Sequence, residues 1–443
     1  MRQARGQCAR GVAAGLLLLP LLAAAAVPDT SPYAQRIERV LTQTPLIDGH
    51  NDLPWEIRER FGSDLSKIDL RAGTAALPAP AGGAPLMTDI ARLRQGHVGA
   101  QFWSVWIPVE VKGAPAVQMT LEQIDLVKAV CARYPDDLAM AYTAADISRL
   151  HKAHRIASLI GVEGGHQIND SLAVLRSYYE AGARYLTLTH SSNTDWADSA
   201  TDNPAHHGLT PFGREVVREM NRLGMLVDLA HVSEETMRAA LAVSEAPVIF
   251  SHSSARALVD HPRDVPDEVL RLVAKNGGVV MVNFAPPYVS EARRRWDADR
   301  AAEHARNNSP PFGGLYIGQP ERAAAALAAW EQAHPKPQAT LAQVADHIEH
   351  IRQVAGVDHV GIGSDFDGIP ETPVGLEGVD KFPALLEELA RRGWSDADLA
   401  RVAGGNLLRA MTGAEAVSAR LRATRAPSTA RIGELDHAAA ATR

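Results

Sequence analysis

Histidine and carboxylate side chains in this chain fall directly after short apolar runs, where several of them could converge on one ion. The segment Ile47-Asp48-Gly49-His50-Asn51-Asp52 sets His50 and Asp52 two residues apart, which places both on one face of an extended strand. Glu163 follows Leu159-Ile160-Gly161-Val162 and precedes Gly164-Gly165; a carboxylate there is costly unless it is paired or bound to metal. His190 closes Thr187-Leu188-Thr189-His190, His231 closes Asp228-Leu229-Ala230-His231, and His252 closes Phe250-Ser251-His252. Asp365 and Asp367 belong to Gly363-Ser364-Asp365-Phe366-Asp367. Imidazole and carboxylate donors without thiolate suit zinc, with cobalt, manganese or iron as substitutes. This many donors, with one carboxylate able to bridge, exceeds the needs of a single open site and predicts a pair of cations. Such a pair acidifies a bound water and clamps its attack on a carbonyl or phosphoryl group.

Something must hold these donors together, and the apolar runs are the means. Candidate strands lie at 45–49, 98–106, 157–162, 185–189, 225–230, 247–251, 278–283 and 360–363. Most are apolar on both faces, as buried parallel strands are. Amphipathic helical stretches alternate with them, among them 120–134, 171–181, 211–223, 233–243 and 341–355. Eight strand–helix units predict an α/β fold, a (β/α)8 TIM-type barrel of the metal-dependent hydrolase kind. Six of the eight strands finish in His, Asp or Glu, at the carboxyl end where barrels carry their active sites. An open doubly wound sheet is the alternative, but no GxGxxG turn follows any candidate strand. Two stretches break the alternation, 64–89 and an insertion at about 291–340. Long insertions of this kind serve as lids or binding loops. His347 and His350, three apart on a helix, and His206 and His207, in a polar loop, read as surface residues.

At these residues the sequence resembles the membrane dipeptidase (renal dipeptidase) family of binuclear zinc peptidases. The blocks that carry the resemblance run in order from about Pro45 to Arg409. They include LIDGHNDLPW, GAQFWSVWIP, GVEGGHQI, RYLTLTHSSNTDWAD, LTPFGREVVREMNRLGMLVDLAHVS, PVIFSHSSARAL, HPRDVPDEVL, VVMVNF, VADHIEHIRQVAG, VGIGSDFDG and GGNLLR. The resemblance implies hydrolysis of dipeptides by attack of a hydroxide that bridges two Zn2+ ions. His50 and Asp52 would bind one ion, His231 and His252 the other, and Glu163 would bridge both. Asp365 would shuttle the proton and hold the free amino group of the substrate. His190 would contact the carbonyl and stabilise the oxyanion. Arg263 would pair with the terminal carboxylate, for which a guanidinium supplies a fork of donors. Tyr288 and Trp55 would line the pocket. D-residues at the C-terminal position and some β-lactam hydrolysis are further implications. Asp367, two residues beyond Asp365 in an extended run, is the alternative acid. For Arg263 the alternative is a surface ion pair with Asp264 or Asp267.

The competing functions are another binuclear amidohydrolase, such as a lactonase, esterase or β-lactam hydrolase, and a non-catalytic periplasmic binding protein. Many barrel hydrolases of the first kind carry HxH on the first strand and a bridging lysine; here HxD and Glu163 stand instead, and no lysine closes a candidate strand. The absence of GxSxG and HExxH argues against a serine hydrolase and a zincin. A net charge of −7 argues against a nucleic-acid partner.

The ends of the chain suggest its location. Arg2, Arg5 and Arg10 precede an apolar stretch from Gly11 to Ala26, the pattern of a signal peptide over 1–26. This predicts an exported, periplasmic or secreted protein without a stable membrane anchor, with one catalytic domain over 27–413 and a flexible tail over 414–443. Of Cys8 and Cys131, only Cys131 would remain after cleavage. Ser192 occupies the place in THSSNT where the family resemblance implies a cysteine, so a homodimer would form without a disulfide link.

Overall fold

A computed structural model describes residues 31–80 and 83–440; the expected signal peptide and Cys8 lie outside the described residues. The strands are β1 (Leu46–Asn51), β2 (Val98–Trp106), β3 (Leu138–Met140), β4 (Ile156–Glu163), β5 (Ala183–Thr187), β6 (Leu226–Asp228), β7 (Ile249–Phe250), β8 (Val279–Val282) and β9 (Val360–Ile362). All pair in parallel, and eight close into a barrel in the order β1, β2, β4, β5, β6, β7, β8, β9 and back to β1. The expected (β/α)8 barrel is therefore the fold. β3 is the strand that the apolar pattern does not reveal. It is three residues long and extends the sheet beside the start of β4, where β5 has not yet begun.

The two-faced apolar composition of the strands reappears as two apolar layers. Ile47, Phe102, Leu159, Leu226, Ile249 and Met281 fill the barrel. Trp103, Val105, Leu186, Val227, Val280 and Ile362 face the surrounding helices. The amino end is closed by the chain leading into the helix Asn406–Thr424. There Gly404 lies so close to Pro45 that a Cβ would stand 2.2 Å from the Pro45 carbonyl oxygen. With one end sealed by apolar side chains, polar groups have access only to the other.

Two expectations about the periphery need correction. The segment from 414 is not a free tail. Ala414, Ser418 and Leu421 continue a buried stripe along Asn406–Thr424, and Ser418 Oγ donates to Arg222 O at 2.7 Å. Beyond it Ile432 and Leu435 pack on the core, and Asp436 accepts from Phe212 N at 2.9 Å. His347 is not on the surface either. It is 1% exposed, and its Nδ1 accepts from Ala255 N at 3.0 Å, because its helix packs over the loop that follows β7. The insertion forms two helices, Glu291–Asn307 and Pro320–Ala333.

Candidate active site

The candidate ligands all stand at the open, carboxyl end of the barrel. His50 is the penultimate residue of β1, Glu163 ends β4, and His190, His231, His252 and Asp365 follow β5, β6, β7 and β9 by two or three residues. Glu163 is the hub. Its Oε2 is 3.4 Å from His50 Nε2, and its Oε1 is 3.0 Å from His231 Nε2 and 3.4 Å from His252 Nε2. Asp52 Oδ2 lies 3.2 Å from His50 Nε2, and the Nε2 atoms of His231 and His252 face each other at 2.9 Å. The donor atoms of His50, Asp52 and Glu163 lie within 4.8 Å of one another, as do those of Glu163, His231 and His252. The two sets share one carboxylate.

His50 and Asp52 meet by a different route from the one their spacing predicts. β1 stops at Asn51, and Asp52, with φ −98° and ψ 16°, leads into the helix Leu53–Phe61. The strand ends here because Asn51 turns its side chain to the backbone, accepting from Leu53 N at 3.0 Å while donating to Thr88 Oγ at 2.8 Å. A turn, not an extended strand, brings the carboxylate to the imidazole.

Electrostatics fits this cluster to cations. Burial works against the charge on Glu163, but His50, His190 and His231 hold the carboxyl well below the usual carboxylate range. Burial, Arg263 and His190 hold His231 well below the usual histidine value; burial, His50 and Arg263 do the same to His252. His50 goes the other way: burial lowers it, but Tyr185, Glu163 and Asp52 together raise it well above that value. Its Nε2 is buried and has no hydrogen-bond partner. Unprotonated imidazoles on one side and carboxylates that draw positive charge on the other are what a divalent cation requires.

Asp365 and Asp367 separate clearly. Both adopt left-handed backbone, with φ 66° and 64°, a conformation that costs a non-glycine residue about 1–3 kcal/mol and is retained mainly at functional sites. The extended run expected for them is absent, and they turn apart. Asp365 lies within 4.8 Å of His50 and His252 donor atoms, and its Oδ2 accepts from Asn283 Nδ2 at 3.0 Å. Burial, opposed by His50 and helped by Asp52 and Glu163, pushes its carboxyl up to about 7. Asp367 instead turns to Met87 N, from which its Oδ1 accepts at 2.7 Å, and burial pushes it to about 7 as well. Gly368 completes this corner: a Cβ there would stand 2.2 Å from Asp52 Oδ2 and 2.7 Å from Asp365 Oδ1.

Above the cluster lies a cavity of about 590 Å³. Trp55 meets Trp106 edge-on at 4.5 Å between centroids, and Trp106 stands 5.5 Å from His190. His190 Nε2 is 3.8 Å from Glu163 Oε1, and burial lowers its pKa. Arg263 also reaches the cavity, although it is only 2% exposed. It donates to Ser253 Oγ at 3.3 Å and His252 O at 3.2 Å, its Nε has no partner, and its guanidinium lies 5.5 Å from the Tyr288 ring centroid. The surface ion pair that residue order also allowed is replaced by this burial; Asp267 pairs with His350 at 2.7 Å.

The structure adds cavity residues that the sequence reading omits. Trp106 ends β2 and lines the cavity, while Asn283 follows β8 and holds Asp365 by donating to its Oδ2; neither is the His, Asp or Glu that closes the other six strands. Arg293 and Asp297 of the insertion and Glu371 of the loop after β9 form the outer wall; no local pattern marks them.

The family described as membrane dipeptidase (Peptidase family M19) matches residues 34–425. Dipeptidase 3 of Mus musculus is 42% identical over 378 residues, covering 84% of this chain and 65% of that protein. The chain thus spans just under two thirds of that relative's length. Dipeptidase verJ of Clonostachys rogersoniana is 40% identical over 397 residues, covering 87% of this chain and 88% of that protein. Among solved structures, the probable dipeptidase PvdM of Pseudomonas aeruginosa superposes with a TM-score of 0.70 at 26% identity, covering 87% of this chain and 98% of that one.

Proposed function

The chain belongs to the membrane dipeptidase family, and from that premise we propose that it hydrolyses dipeptides with a pair of divalent cations, zinc by donor chemistry. The observation that supports this most directly is the convergence of four donors, His50, Asp52, His231 and His252, on the carboxylate of Glu163, with Asp365 and Arg263 facing the same cavity. His50, Asp52 and Glu163 would hold one cation, and Glu163, His231 and His252 the other. When bound, such a pair acidifies water and polarises a carbonyl oxygen.

The chain's own groups divide the remaining work. Arg263 receives the terminal carboxylate of the dipeptide: its Nε has no protein partner, and a planar fork suits a carboxylate. Asp365 holds the free amino group and carries the proton to the departing amine; Asn283 fixes it at 3.0 Å beside the donor cluster, within reach of both. His190 reaches over the hub toward the scissile carbonyl and stabilises charge that develops on its oxygen. Trp55 and Trp106 wall the cavity on one side and Tyr288 on the other, which excludes bulk water and limits the length of the ligand. Recognition of both termini within one cavity favours dipeptides over longer peptides.

No helix among the described residues is long and apolar enough to cross a membrane. The basic and apolar pattern at the N-terminus favours export, with cleavage near residues 24–26. Cys131 is buried and free, so a homodimer would form without a disulfide.

The test is a dipeptide panel, L,L and L,D, run on protein of measured metal content before and after chelation and after return of Zn2+, Co2+ or Mn2+. Hydrolysis that disappears with the metal and returns with it is the expected result. No hydrolysis in any combination would overturn the reading, and turnover of lactones, esters or β-lactams alone would move it to another amidohydrolase.

A further inference from the structure

A buried aspartate clamps a serine in the same manner at two places around the barrel mouth. Asp228, which ends β6, accepts from Ser251 N at 2.8 Å through Oδ1 and from Ser251 Oγ at 2.6 Å through Oδ2. Asp48, in β1, accepts from Ser364 N at 2.7 Å through Oδ1 and from Ser364 Oγ at 2.7 Å through Oδ2. In both cases the serine follows the neighbouring strand, β7 beside β6 and β9 beside β1. In both cases the next residue belongs to the site: His252 after Ser251, Asp365 after Ser364. All four clamp residues are fully buried. Neither aspartate lines the cavity, so neither meets substrate, and among the described residues neither pairs with an arginine or lysine. A buried carboxylate without a cationic partner is costly and calls for a reason.

We propose that Asp228 and Asp48 are positioning residues, one for a metal ligand and the other for the proton-carrying carboxyl. Ser251 has a single hydroxyl proton and gives it to Asp228, so its oxygen accepts from His252 Nδ1 at 2.8 Å. The proton of the neutral imidazole therefore sits on Nδ1, and Nε2 is left bare toward Glu163. Thr187 Oγ at 2.5 Å and Ala230 N at 3.1 Å saturate Asp228 with donors, so it can only accept. Ser364 works on backbone instead. Its hydroxyl donates to Asp48 and accepts from Phe366 N at 3.2 Å, bracketing the left-handed turn at Asp365. The same clamp thus sets a tautomer in one place and a backbone turn in the other.

This inference rests on the metal-dependent reading, and its test separates the two. Metal-stripped wild type, Ser251→Ala and Ser364→Ala are titrated with Co2+, followed by visible absorption, and the reloaded proteins are assayed for kcat and KM. Ser251→Ala is expected to weaken one of the two cation sites by roughly 10- to 100-fold and alter its absorption band. Ser251→Thr, which keeps the hydroxyl, is expected to restore both. Ser364→Ala is expected to keep both Co2+ affinities, lose about tenfold in kcat and raise KM, because Asp365 also holds the free amino group. Variants that match wild type in Co2+ affinity and kcat, or that lose only thermal stability, would overturn the clamps while leaving the metal reading intact. A wild type that takes up no Co2+ would overturn both.

Discussion

Glu163 at the barrel mouth is 4% exposed and touches imidazoles that come from four other strand ends. Glu291 in the insertion is more exposed, and its partners, Arg294 and Arg295 at 2.7 Å, come from the next turn of its own helix. Charge in the first region is buried and held by groups far apart in the chain. Charge around Glu291 is more exposed and satisfied locally, at i, i+3 and i, i+4. The two meet at Glu371, which Arg293 reaches from the insertion at 2.7 Å and Lys336 also contacts. A buried charge that loses its partners has no water to replace them, whereas an exposed one does. Substitutions at the mouth should therefore remove function, and those in the insertion should cost little.

The largest effect is expected from Asp365→Asn, which keeps the shape of the side chain and removes its proton. We expect cation uptake to persist and kcat to fall by roughly 10²- to 10⁴-fold. Full turnover would transfer the role to Asp367. Next is Arg263→Lys, which keeps the charge and loses the planar fork. KM for dipeptides should rise by about 10- to 100-fold with kcat little changed, and a change confined to kcat would break the assignment to the terminal carboxylate.

At the junction, Arg293→Ala removes the contacts with Asp297 and Glu371. The expected loss is about 1 kcal/mol of stability and faster proteolysis within 291–340, with turnover held within a few-fold. A loss of turnover as great as that of Asp365→Asn would erase the contrast between the regions. The smallest effect concerns pH. Arg294 lowers the Glu291 carboxyl most strongly, Arg295 adds to this, and together they bring it to about 2 from its ordinary 4.5. A depressed folded-state pKa contributes stability that is full above 4.5 and disappears as pH falls toward 2. Solvent screening limits it to under ~1 kcal/mol. The unfolding free energies of wild type and Glu291→Gln should differ slightly at pH 6 and converge by pH 2; divergence on acidification would contradict the sign.

The barrel and most of its site were legible because strand ends are local signals. An apolar run that stops at His or Glu announces both the strand and the exposed end of a buried element. His50, Glu163, His231, His252 and Asp365 could be read in this way. β3 was not legible, since Leu138-Ala139-Met140 has no β-branched residue and no His, Asp or Glu at its end to mark it as a strand. The tail was misread because Ala414, Ser418 and Leu421 look solvated until the surface of the helix Pro211–Leu223 is placed beside them.

What the sequence determined by itself was the donor chemistry and the end of the barrel where it gathers, because composition and period are properties of neighbours along the chain. Tertiary structure alone decided which donors share Glu163, that Asp365 and not Asp367 faces them, and that Asp228 and Asp48 stand behind them. These outcomes depend on distances between strands remote in sequence, on left-handed turns at Asp365 and Asp367 that defeat a two-residue alternation, and on hydrogen bonds whose direction appears only when both partners are in place.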